Sequence, residues 1–244
     1  MTLLEVHGVS KSFRGVRAVD AVDLSVEEGR IQGIIGPNGA GKTTFFNLVA
    51  GAFAPDAGRI VVNGRDVTGL SAHRVARAGV LRTFQLMRPF ATMTVLDNVT
   101  VAAMSRTRSR RRAQDEASEV IDRIGLTRWR DSVSGALPTA ALKRLELGRA
   151  LACRPRLLLL DEVLAGLVPS ERQPVIELIA GLRREEGMTL VFVEHIMAAV
   201  MQLSDSVLVL DQGRTIASGT PAEVTSDPRV IEAYLGEEPT VAGA

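Results

Sequence analysis

The chain has a single cysteine, Cys153, three histidines, and only 4% aromatic residues, with one tryptophan and one tyrosine. One thiol excludes an internal disulfide. Three scattered histidines beside that thiol argue against a zinc site, which needs about four clustered ligands. Net charge is also scarce, at +1 over 244 residues. No global field therefore draws in nucleic acid or an anionic membrane, and any such contact must be local. Long apolar runs are missing as well: Met1 to His7 lacks the basic start and apolar stretch of a signal peptide, and no later run approaches the roughly 18 residues that span a bilayer. These absences predict a cytoplasmic chain that reaches a membrane only through another protein or by peripheral contact. What remains, 46% hydrophobic and 23% charged, is ordinary for one large or two small folded domains.

What is present is a glycine loop. Gly36-Pro37-Asn38-Gly39-Ala40-Gly41-Lys42-Thr43 fits G-x-x-x-x-G-K-[ST], with Thr44 following and the apolar stretch Ile31 to Ile35 leading in. A chance match in a chain this long is on the order of one per cent, given glycine's ordinary frequency. Glycines at 36, 39 and 41 let backbone N–H groups turn toward phosphates, Lys42 adds a point charge, and the Thr43 hydroxyl is placed for Mg²⁺. The first ligand predicted is a nucleotide, with Mg²⁺ arriving on it.

Elsewhere the pattern is mixed α/β. Leu3 to Val9, Ala18 to Val26 and Arg59 to Val67 are rich in β-branched residues, and Asn63-Gly64 is a hairpin turn signal, predicting a small antiparallel sheet beside the loop. Thr43 to Gly51 reads as a short helix ended by glycine. Leu157 to Leu160, Thr189 to Val193 and Val207 to Leu210 are continuous apolar runs, the pattern of strands covered on both faces. Helical stretches such as Gln173 to Glu186 lie between them, as in a parallel sheet, and Asp211-Gln212-Gly213 turns the chain into a final hairpin. From Phe90 to Ala152 the pattern is helical without strong strands.

Further candidates sit at predicted strand ends. Asp161 and Glu162 follow the four leucines, on the carboxyl rim where a doubly wound sheet holds its ligand. Asp161 there would hold Mg²⁺ through water and Glu162 would polarise an attacking water; two acids capping a strand is the plainer alternative. His195 ends another buried run and is placed to reach the terminal phosphate, or is structural. Gln85 is placed to touch Mg²⁺ or the attacking water. The arginine run Arg106 to Arg112 lacks interleaved aromatics and reads as a solvated charged stretch.

Gly36 to Thr43, Gln85, Leu157 to Glu162 and Glu194-His195 together resemble, in order and spacing, the ATP-binding subunits of ABC transporters. Within that superfamily Arg82-Thr83-Phe84-Gln85, Met93 to Asn98, Glu194 to Met197 and Ala233 to Gly236 are similar to the LivG-type subunits of branched-chain amino acid importers. The resemblance implies an α/β P-loop NTPase with a RecA-like core, an antiparallel β subdomain and an inserted helical subdomain. It divides a single ATP-binding domain into core and β parts at 1–85 and 153–236, helices at 86–152, and a flexible tail at 237–244. It also implies ATP and Mg²⁺ as ligands, Phe13 stacking on adenine, a second ATPase subunit that sandwiches two ATPs, and membrane permease subunits that place the chain on the inner face of the cell membrane.

One segment departs from the family. At 137 to 141, where relatives carry a Leu-Ser-Gly-Gly-Gln-like signature that binds the γ-phosphate of the opposite subunit, this chain reads Leu137-Pro138-Thr139-Ala140-Ala141. Pro138 brings neither hydroxyl nor N–H, and Thr139 and Ala140 add side chains where backbone must approach closely. Loss of two charge-assisted hydrogen bonds would cost about 3 to 6 kcal/mol, unless a one-residue shift lets Thr139 stand in. Val163 and Val168 also depart, from a proline and a polar residue. The expectation is an asymmetric pair, with a heterodimer favoured over a homodimer. A non-hydrolysing nucleotide-gated subunit and the ATPase of a lipid or polysaccharide exporter remain open readings.

Overall fold

The computed structural model describes residues 1–83 and 89–235. Gln85 and the tail beyond Leu235 lie outside the described residues. The chain begins with the long strands β1 (Thr2–Phe13) and β2 (Val16–Glu27), then β3 (Ile31–Ile35), α1 (Lys42–Val49), β4 (Ala57–Val62), β5 (Arg65–Asp66), α2 (Ala72–Arg77) and β6 (Val80–Arg82). A helical stretch follows: α3 (Val95–Ala103), α4 (Arg110–Arg123), two short 3₁₀ turns, and α5 (Thr139–Ala152). The chain then returns through β7 (Leu157–Asp161), α6 (Pro169–Glu186), β8 (Thr189–Val193), α7 (Met197–Leu203), β9 (Ser206–Asp211), β10 (Arg214–Gly219), α8 (Pro221–Ser226) and α9 (Pro228–Leu235).

Two sheets result. One has the order β2-β1-β4-β5 and is antiparallel, its tight turn carrying Asn63 at φ 49° and Gly64 at φ 69°. The other has the order β10-β9-β3-β8-β7-β6 and is parallel except for the β9–β10 hairpin. Its apolar runs serve two cores at once, because successive side chains of a strand point to opposite faces. Leu157 and Leu159 pack with Phe45, Phe46 and the antiparallel sheet, whereas Leu158 and Leu160 pack with Leu145, Leu151 and the α6 residues Ile176 and Ile179. That double coverage is why the strands read as unbroken apolar stretches.

Helix α6 starts earlier than its sequence pattern suggests. Pro169 opens it with φ preset for a first turn, and Pro174 is accommodated in the second turn. Among the helices between the two halves of the core, Asn98 is fully buried and ties the stretch together: its carboxamide accepts from the Phe90 N–H at 2.8 Å and donates to Thr94 O at 2.9 Å and Ser134 Oγ at 3.2 Å. The Arg110–Arg112 end of α4 is exposed and capped by the Ser109 hydroxyl. No helix among the described residues is long and apolar enough to cross a membrane.

Candidate active site

The glycine loop bridges β3 and α1. Gly36 has φ 148°, and a Cβ there would stand 2.0 Å from the Leu210 carbonyl oxygen; Gly41 has φ 97°, and its Cβ would stand 2.2 Å from the oxygen of Ala18. The loop is thus pressed onto β9 and β2 so closely that side chains are excluded. Helix α1 has Gly41 as its N-cap, no side-chain cap and no acid in its first turn, leaving its N–H groups and positive dipole end open to an anion. Lys42 is buried, and its ammonium donates to the carbonyls of Gly36 at 2.6 Å and Pro37 at 2.7 Å. The loop from Asn38 to Thr44, with Ala18, Glu162 and His195, lines a cleft of about 210 Å³.

The opposite wall comes from adjacent strands β7 and β8, where Asp161 is paired with Val193 in register. One step further, Glu162 and the Glu194–His195 pair leave the sheet side by side, and His195 Nε2 lies 2.9 Å from Glu162 Oε1. The Glu162 backbone has φ 47°, a left-handed conformation unusual for a residue with a side chain, and its N–H donates to Val193 O at 3.0 Å. Asp161 is almost fully buried, and its Oδ2 accepts from the Arg82 guanidinium at 2.5 Å. Its Oδ1 is buried and has no hydrogen-bond partner among the described residues. A buried, half-satisfied carboxylate beside a phosphate cleft fits a cation or its water shell. No group of three or more metal-type side chains occurs among the described residues. Glu194 is buried, which pushes its carboxyl above the usual range although the Leu164 N–H donates to it at 2.8 Å.

Phe13 stands outside this lining, at the end of β1, and is 39% exposed rather than part of the core. Its ring meets Phe53 edge-on at 5.3 Å, and the Lys11 ammonium lies 5.6 Å from its centre. Asp56 accepts from Lys11 and from the Ser12 N–H, both at 2.7 Å, which fixes the end of β1 against the loop after α1.

The altered segment lies at the mouth of α5. Pro138 is the N-cap, so the helix loses no hydrogen bond to it. The N–H groups of Ala141 and Leu142 return to Pro138 O. Those of Thr139 and Ala140 take no partner among the described residues, as the first N–H groups of a helix do. The hydroxyl of a capping serine is missing, but part of the backbone donor set remains. Val168 caps α6, exposed, and Val163 is buried.

Three contacts were not legible as site features. Arg82 and Tyr234 fall within motifs that only suggested a subfamily, yet Arg82 binds Asp161, and the Tyr234 hydroxyl accepts from the Gly36 N–H at 2.8 Å. Lys143, next to the altered segment, donates to the Glu162 carbonyl at 3.1 Å.

Known proteins resemble this chain over most of its length. The ABC transporter family model matches residues 19–165, more than half of the chain. The chain belongs to the ABC transporter ATP-binding family. A second model, branched-chain amino acid ATP-binding cassette transporter, matches residues 214–240 of this ABC ATPase. The high-affinity branched-chain amino acid transport ATP-binding protein BraF of Pseudomonas aeruginosa is 41% identical, covering 96% of this chain and 98% of its own. LivG of Escherichia coli, of the same description, is 40% identical with the same coverage. Among solved structures, the ADP conformation of an ATP-binding cassette of an ABC transporter superposes with a TM-score of 0.88 at 30% identity, covering 97% of this chain and 100% of that one. The P-loop NTPase fold and the LivG-type resemblance read from the motifs are thereby established, and the ABC ATPase is an ATP-hydrolysing enzyme.

Proposed function

We propose that this ABC ATPase powers import of branched-chain or related amino acids through separate permease subunits, working from the inner face of the membrane. The observation that carries the reading is the cleft in which the open N-terminus of α1, Lys42, Glu162 and His195 converge. The relatives' names supply the substrate class. The N–H groups of Asn38, Gly39, Gly41, Lys42, Thr43 and Thr44 cradle the phosphates, Gly36 keeps its N–H on the Tyr234 hydroxyl at the base of the loop, and the Lys42 ammonium leaves the loop carbonyls to meet the phosphates. Pro37 shapes the entry, and Phe13, held at its edge by Phe53, offers a face to adenine. Glu162 orients the attacking water as general base, and His195, hydrogen-bonded to its carboxylate, reaches the terminal phosphate. Gln85 is assigned to the same water or cation by the family pattern alone.

Mg²⁺ fits beside the free Oδ1 of Asp161 and the Thr43 hydroxyl, and when bound it neutralises charge on the transferring phosphate. Arg82 keeps the other oxygen of Asp161 engaged, so the carboxylate presents one oxygen in a set direction.

The partner ATPase is a distinct chain. This chain supplies the loop and Glu162 to one competent site, while its α5 mouth, without the capping hydroxyl, grips the partner's γ-phosphate weakly. One lost charge-assisted hydrogen bond costs about 1.5 to 3 kcal/mol. The test is ATPase activity of the assembled transporter together with uptake of labelled leucine: both should depend on Glu162. Uptake that excludes branched-chain amino acids would overturn the substrate assignment, and turnover that survives Glu162→Gln would overturn the site.

A further inference from the structure

Helix α5 ends the helical stretch, and its first residues form the altered signature. Lys143 lies four residues after Thr139, on the same face of that helix. Its half-buried side chain reaches across to the core sheet and donates to Glu162 O at 3.1 Å. Glu162 sits at φ 47°, a backbone state disfavoured for a residue with a Cβ, so the surrounding contacts must hold it there. Its N–H is taken by Val193 O and its carboxylate faces His195. The carbonyl is held by Lys143, with the Ala165 N–H as a second donor. Burial pushes the lysine's pKa below its ordinary value, and the nearby Glu194, Glu162, Asp161 and Glu146 oppose that shift.

We infer that Lys143 is a positioning residue for hydrolysis: it pins the Glu162 backbone from helix α5, so that the carboxylate keeps its aim and the helix facing the partner's nucleotide is tied to this chain's own base. The inference rests on Glu162 being that base. Lys143 touches neither the glycine loop nor the adenine platform among the described contacts, so its loss should act on turnover and spare nucleotide affinity.

The experiment compares Lys143→Met, Lys143→Gln, Lys143→Arg and Glu162→Gln in the assembled transporter, measuring kcat and KM for ATP together with binding of a fluorescent ATP analogue. The expected result is a fall in kcat of about tenfold in Lys143→Met, the rate equivalent of one charge-assisted hydrogen bond, with KM and analogue affinity within about twofold. Lys143→Gln should fall between the two, and Lys143→Arg, which keeps the charge and the donors, should recover most of the rate. Unchanged kcat in Lys143→Met overturns the inference. So does an Arg variant no better than Met, or a loss that appears in KM and analogue binding instead of kcat. If Lys143→Met does not assemble, Lys143→Gln carries the same comparison. Turnover that persists in Glu162→Gln removes the premise about the base, which is a different failure from unchanged rates in the lysine variants.

Discussion

The glycine loop and the mouth of α5, the two ends proposed to meet nucleotide, differ in completeness. Around the glycine loop, Gly36 and Gly41 are pressed onto neighbouring strands, Lys42 is buried on the loop carbonyls, and Glu162 and His195 stand in contact on the facing wall. At the mouth of α5 the fold is equally sound, but Pro138 caps the helix without a hydroxyl. The difference teaches that a helix can keep its packing role while its capping chemistry changes. Leu145 and Leu151 of α5 are buried in the core, whereas Pro138 and Thr139 are exposed and free to change.

The sharpest way to break this comparison is at the complete end. Glu162→Gln should lower kcat by about a hundredfold or more, the range of a lost general base, while ATP still binds; a steady-state assay with a parallel binding titration reads both. Lys42→Ala should weaken ATP binding by roughly 10- to 100-fold, the value of a charge-assisted contact to phosphate, as read by isothermal titration. At the depleted end, Pro138→Ser with Thr139→Gly, Ala140→Gly and Ala141→Gln should raise ATPase activity of the assembled transporter up to about tenfold, the factor one regained hydrogen bond to phosphate allows. No rise would remove the asymmetry. Tyr234→Phe takes away the acceptor of the Gly36 N–H and should weaken ATP binding by about 2- to 10-fold.

The smallest effect concerns stability. Burial raises the Glu194 carboxyl above its unfolded value, so its favourable contribution is present below the unfolded carboxylate range and is lost as pH rises through the raised folded value. Glu194→Gln keeps an acceptor for the Leu164 N–H without the buried charge. It should raise Tm at pH 8 by roughly 2 to 4 °C, about 1 kcal/mol for a domain of this size, with the gain vanishing near pH 4. Thermal melts across that range check the sign.

How much of this was readable beforehand follows from the distance between partners. The loop is contiguous, and its glycines announce a backbone that only a phosphate site requires. The apolar runs reported buried strands because each feeds two cores. Asp161 and Glu162 stand out in the sequence by their place after a strand, and the structure brings Glu162 to His195 because Asp161 and Val193 are in register. Register and sheet order are not local properties, so Arg82 with Asp161, 79 residues apart, and Tyr234 with Gly36, 198 apart, could be noticed only as motif letters. Lys143 is just 19 residues from Glu162, yet its role depends on how a helix crosses the sheet. Phe13 was assigned to adenine by resemblance, and its exposed, edge-supported ring is compatible with that use.

The contrast between a complete site and a depleted one is tested most directly by light scattering of purified Glu162→Gln protein with and without ATP and Mg²⁺, since blocked hydrolysis traps any closed pair. The account predicts that ATP binds and the protein stays a monomer of 26.1 kDa, dimerising only when a distinct partner ATPase is added. A homodimer formed on ATP alone would contradict it, because the Pro138 to Ala141 segment would then be gripping a second copy's nucleotide without the missing hydroxyl.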